Sequence, residues 1–160
     1  MLILIEGIVM CFILLIICVI GIANGPEKFT VFYEKNVQDK VIELGYTTKE
    51  QIKKQTVITT LAMYIPCFIL VPIMVCYING AKEFFDIFIQ SLLILYIMGL
   101  FDRFFIDWYW VEHTKAWFIP GTEKLMPYIP KKMKIIKWMG TIVGFAIISL
   151  IIAAVMNFLI

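Results

Sequence analysis

The densest run of reactive side chains in this 160-residue chain lies between Phe101 and Lys115. It reads Asp102-Arg103, then Asp107-Trp108-Tyr109-Trp110, then Glu112-His113-Thr114-Lys115. At 100° per residue, Asp102, Tyr109 and His113 fall close to one line of a helix. The single histidine would then share a face with a carboxylate and a phenol. Such a trio suits acid–base work, with His113 moving a proton, Asp102 orienting or stabilising it, and Arg103 holding an anionic head group. Arg103 and Asp107 are four apart and can pair. Trp108 and Glu112 form a neighbouring row.

Two other readings use the same residues. Asp102, Asp107, Glu112 and His113 are hard-oxygen and imidazole donors of a kind that hold metals. However, the chain has no H-E-x-x-H, no C-x-x-C and no second histidine, so no motif implies a metal or a cofactor. The third reading is structural: Trp108, Tyr109, Trp110 and Trp117 form an aromatic belt, and the charges mark where a helix leaves lipid.

The elements that position these residues follow from composition. The chain is 62% hydrophobic and 16% charged, with a mean hydropathy of +0.93. A soluble domain is about 45–50% apolar and about 25% charged, so the composition points to an integral membrane protein. A net charge of +2 gives no pull towards nucleic acid. The expected architecture is one all-α transmembrane domain over 1–160, a bundle of four spans at about 2–23, 57–78, 85–106 and 138–160, joined by long loops at 24–55 and 113–137. The third span is the untidy one. Only 15 residues separate Asp86 from Asp102, about 22 Å of helix against a hydrocarbon core of roughly 30 Å. It must continue through Phe104, Phe105 and Ile106, which draws Asp102 and Arg103 about one turn into the apolar slab. Charged groups at that depth are functional hypotheses by default.

Lysine placement orients the spans. The two long loops hold twelve lysines and the turn near Gly80 holds only Lys82. The loops are therefore expected to face the cytoplasm, with both ends outside the cell membrane. The first span lacks a basic n-region and a small-x-small cleavage site, and reads as a retained helix rather than a signal peptide.

The first loop carries a short helix over Val37, Val41 and Leu44, capped by Asn36 and stopped by Gly45, and a T-x-x-E capping box at Thr47 and Glu50. Phe29, Val31, Phe32 and Tyr33 suit an interfacial segment. The second loop alternates aromatics with Pro120, Pro127 and Pro130, and suits either a lid over a cavity or an anchored connector. Pro66 and Pro72 kink the second span. Gly140 and Gly144 have the G-x-x-x-G spacing of a packing motif, within the subunit or between copies in a homo-oligomer. Glu6 is expected to reach the interface at the outer end of the first span. Gln90 and Asn157 are expected to bond between helices, and Cys11, Cys18, Cys67 and Cys76 to act as buried small residues.

Gly99-Leu100-Phe101-Asp102-Arg103 is similar to part of the first aspartate motif of lipoprotein signal peptidases. The asparagine before that aspartate pair and a second aspartate in the last span are both missing, so the resemblance is not adopted. The favoured expectation is a small polytopic protein that binds an amphiphilic or lipid-like ligand at its cytoplasmic rim, through Arg103, Asp107, Tyr109, Glu112 and Trp117. The first alternative is a membrane-embedded enzyme with Asp102 and His113 as catalytic residues. The second is a structural or assembly subunit without a ligand site, acting through the Gly140 and Gly144 pair and the basic loops.

Overall fold

The computed structural model describes residues 2–160, all-helical with no strand among them. α1 is Leu2–Ile22 and α2 the short Lys35–Glu43. α3, Lys49–Pro72, continues through a π-helical stretch Ile73–Ile78, and α4, Phe84–Phe101, through a longer one, Asp102–Val111. α5, Lys131–Met139, passes through π-helical Gly140–Gly144 into α6, Phe145–Leu159. Four runs are long and apolar enough to cross a membrane: Leu2–Ile22, Lys49–Ile78, Phe84–Val111 and Lys131–Leu159.

Three of these runs exceed the spans set by hydropathy, because polar residues extend the helices beyond their apolar stretches. The second run starts at Lys49, where Thr48 builds the capping box: its hydroxyl accepts from Gln51 N (3.3 Å) and its own N–H donates to Gln51 Oε1 (3.1 Å). The box therefore sits one residue beyond Thr47 and Glu50, with glutamine as the returning partner. α2 starts after Glu34, and Asn36 Oδ1 only accepts from Val37 N. Its end is as expected: Gly45 has φ +77° and donates to Ile42 O, while Tyr46 N donates to Val41 O. These two bonds close a Schellman motif.

α4 is the central helix, packed most extensively on α6 and α1. Fully buried Ile87, Ser91, Ile94 and Leu95 on α4, with Ser149 and Ala153 on α6, lie in this core. Close approach depends on glycines other than the G-x-x-x-G pair. A Cβ on Gly7 would meet Ile97 at 2.7 Å, and one on Gly99 would meet Thr141 and Phe145 at 2.6 Å. Around Gly140 and Gly144 nothing lies within 4 Å, so neither brings backbones together within the subunit. Outward faces stay apolar, with Phe12, Ile20, Leu61, Ile69, Ile147 and Val155 exposed.

Glu6 does not reach outwards. It is buried, and Asn79 Nδ2 donates to both Glu6 Oε2 and Gln90 Oε1 at 3.0 Å, tying α1, the α3–α4 turn and α4 together. A buried carboxylate needs such a donor, and Asn79 supplies it. Asn157 is exposed and does not bond between helices among the described residues. All four cysteines are free and buried.

The two long loops pack on each other at the opposite end. Phe32 meets Trp117 edge-on at 5.8 Å, and Tyr33 meets Tyr128 at 5.1 Å. The Tyr33 hydroxyl donates to Trp117 O (2.6 Å). Ile119 N donates to the Tyr128 hydroxyl (3.1 Å), which also pairs with Thr122 Oγ1 (2.7 Å). Pro120-Gly121 makes the turn, Gly121 at φ +86° and Thr122 N donating to Ile119 O. The second loop is thus a hydrogen-bonded cap with Trp117, Ile119 and Thr122 at its centre, each no more than 2% exposed.

Candidate functional site

The charged cluster is built where α4 turns π-helical. Arg103 forms ion pairs with Asp102 and Asp107. Lys137 Nζ from α5 closes on Asp107 Oδ1 at 2.7 Å, and Lys134 Nζ on Glu112 Oε1 at 2.7 Å. The Arg103 side chain is only 10% exposed and that of Asp107 14%. Two acids and two bases thus share a largely buried site, Asp102 at 21% and Lys137 at 29% being its more exposed members, with another ion pair beside it.

The expected pairing of Arg103 with Asp107 is present. The expected line of Asp102, Tyr109 and His113 is not, and the reason is helical pitch. Over Asp102–Val111 the i→i+5 pattern winds the chain more slowly than 100° per residue, so the phase drifts steadily from Asp102 onwards. Tyr109 ends half-exposed against Phe105, at 5.8 Å between ring centroids. His113 is exposed, its Nδ1–H donating to Trp108 O and its ring resting on Trp108 at 4.9 Å. Among the described residues it pairs with no carboxylate. Glu112 does share a face with Trp108, and both line a cavity of about 270 Å³ with Lys134 and Trp138. Trp117 stands in the loop cap rather than in a surface belt.

Two further cavities meet at the cluster. A cleft of about 300 Å³ runs between α1, α3, α4 and α6, walled by residues such as Met10, Ile13, Ile17, Met98 and Phe145, with Pro66 at its side. Asp102, Arg103 and Lys137 form its polar end. Beyond them a chamber of about 310 Å³ lies under the loop cap, lined by Phe32, Tyr33, Trp117 and Tyr128 above and by Asp102, Arg103, Asp107 and Lys137 below. Lys134 and Lys137 are the residues that sequence reasoning missed. They count as loop charges by hydropathy, and their spacing of three places both on one face only once α5 is known to be helical.

No group of three or more metal-ligating side chains occurs among the described residues. What the arrangement offers is an apolar slot with a charged, hydrogen-bonding end.

The cap has a pH signature. Burial first, and the neighbouring Tyr128 next, push the Tyr33 phenol above its ordinary value of 10. A raised folded-state value means the neutral phenol stabilises the fold fully below pH 10, and that contribution is lost as pH rises further. Unfolding temperature is expected to fall with a Tyr33-dependent slope above about pH 10. Tyr33→Phe should cost about 1 kcal/mol near neutrality, because Trp117 O loses its donor, and should flatten the alkaline slope. Equal slopes in the two proteins would remove this role. Glu123 is held below the ordinary carboxylate range by the Gly121 N–H, which donates to Oε1 at 2.9 Å.

Compared with protein-family models, curated proteins and solved structures, the chain matches none of them.

Proposed function

We propose a small polytopic membrane protein that binds an amphiphilic, lipid-like ligand at its cytoplasmic rim. Its four long helices cross the bilayer as a bundle, with both ends outside and both long loops in the cytoplasm. Insertion is supported by the exposed apolar side chains on all four runs, and orientation by the lysine bias. The observation that carries the ligand reading is the cleft of about 300 Å³, lined mostly by apolar side chains and charged at one end. An apolar slot with a few convergent polar groups is the ordinary form of a small-molecule site, and this polarity gradient matches a chain with a head. Membrane lipids are the available amphiphiles. Self-association through Gly140 and Gly144 is a further proposal, supported by their spacing and by the open space at Gly144; Gly140 also lines the cleft, so a partner helix there would lie beside the ligand.

The test is native mass spectrometry of protein purified in mild detergent, with and without added phospholipid. The wild type is expected to retain lipid. Ile13→Trp or Ile17→Trp, which fill the cleft from α1 without altering a charged residue, are expected to lower retention about tenfold, equivalent to about 1.4 kcal/mol. Protein that carries no lipid under any loading condition would exclude the reading.

A further inference from the structure

Resting on the amphiphile reading, we infer that the chamber beneath the loop cap takes a zwitterionic phosphodiester head group. The chamber of about 310 Å³ lies at the lower end of the roughly 300–1,000 Å³ range of ligand sites, room for a head group rather than a whole lipid. Leu14, Met63, Asp102, Arg103 and Lys137 line both chamber and cleft. A chain lying in the cleft therefore leads its head past the charges into the chamber.

Unpartnered donors specify what that head must offer. Trp117 is 2% exposed, and its Nε1–H has no acceptor. Arg103 Nε–H is likewise buried and unpartnered. Buried donors left without acceptors are costly; both are closed over by protein atoms at the chamber wall, and a small parting of that wall that brings a head-group oxygen to each removes the cost. Lys137 adds a third donor in the same lining. A phosphodiester presents several acceptor oxygens in different directions, as three donors from three elements require.

Charge balance narrows the class further. Asp102, Asp107, Arg103 and Lys137 sum to zero, so a head of net charge of either sign leaves the partly buried chamber unbalanced. A zwitterion does not. Its ammonium meets the acid side of the cluster and an aromatic wall, where a cation within about 6 Å of a ring centroid is attracted to the ring face.

The experiment offers detergent-purified protein equimolar phosphatidylcholine, phosphatidylglycerol and diacylglycerol with matched chains, read by native mass spectrometry. Phosphatidylcholine is expected to be retained at least about fivefold over either competitor. Trp117→Phe keeps the apolar bulk and removes the donor. It is expected to lower phosphatidylcholine retention about fivefold while leaving diacylglycerol unchanged. Equal or better retention of phosphatidylglycerol or diacylglycerol overturns the head-group assignment, and so does an unchanged Trp117→Phe protein. Retention of none of the three, with Ile13→Trp indistinguishable from wild type, overturns the amphiphile reading beneath it.

Discussion

Arg103→Met is expected to destabilise the protein by about 3–5 kcal/mol, the usual cost of removing one partner from a buried ionic network. The guanidinium pairs with both Asp102 and Asp107 and is 10% exposed, so solvent screens little of the interaction. Without it, two carboxylates share the single ammonium of Lys137, itself in contact with Asp107 only. Methionine has similar length and no charge, so packing is largely kept and the electrostatic loss dominates. The midpoint of denaturant-induced unfolding in detergent reads the effect. Adding Asp102→Asn to Arg103→Met is expected to recover part of the loss, because one uncompensated charge disappears; the non-additivity measures the coupling. Should Arg103→Met fail to fold at all, Arg103→Lys gives the graded case, keeping the charge while losing the fork that reaches two acids. A change within about 0.5 kcal/mol for Arg103→Met would mean that water, not protein, balances the acids.

The four long apolar helices are legible because their signal is compositional: uninterrupted apolar runs need no partner to be recognised. Phase was not. Placing His113 and Tyr109 beside Asp102 assumes α-helical pitch through all eleven steps, and the i→i+5 stretch breaks that assumption in the segment where the charges sit. Hydropathy also misjudged where helices end, since it marks the apolar interior and is blind to polar turns beyond it. Lys134 and Lys137 therefore read as loop although α5 already contains them. Their partners Glu112 and Asp107 lie 22 and 30 residues earlier, a separation that no local periodicity reports. Glu6 failed for a related reason. An ionisable residue near a helix end is ordinarily drawn to water, but Asn79 arrives from a turn 73 residues away to hold it inside.

Glycine spacing pointed to one site and packing to another, and substitution separates them. Gly99→Leu is expected to cost at least about 3 kcal/mol, at the upper end for overpacking. An added Cβ would already stand 2.6 Å from Phe145 Cε2 and Thr141 Cγ2, on the most extensive helix pair in the fold. Thr141 is buried, with its hydroxyl bonded back to Lys137 O at 3.0 Å. It cannot yield without disturbing the turn that presents Lys137 to Asp107. Loss of helix packing and loss of the charged neck are thus expected together: Gly99→Leu should lower both the unfolding midpoint and lipid retention. Gly99→Ala is the graded case, with the same contacts and less bulk. A Cβ at Gly140 or Gly144 meets nothing within 4 Å, and Gly140→Leu and Gly144→Leu are expected to stay within about 0.5 kcal/mol of wild type as isolated subunits. A large loss at Gly144 with little at Gly99 would reverse the assignment, placing the closest helix contact between copies of the chain rather than between α4 and α6. Measuring the midpoint across a hundredfold range of protein concentration distinguishes the two, because only a contact between copies makes stability depend on concentration.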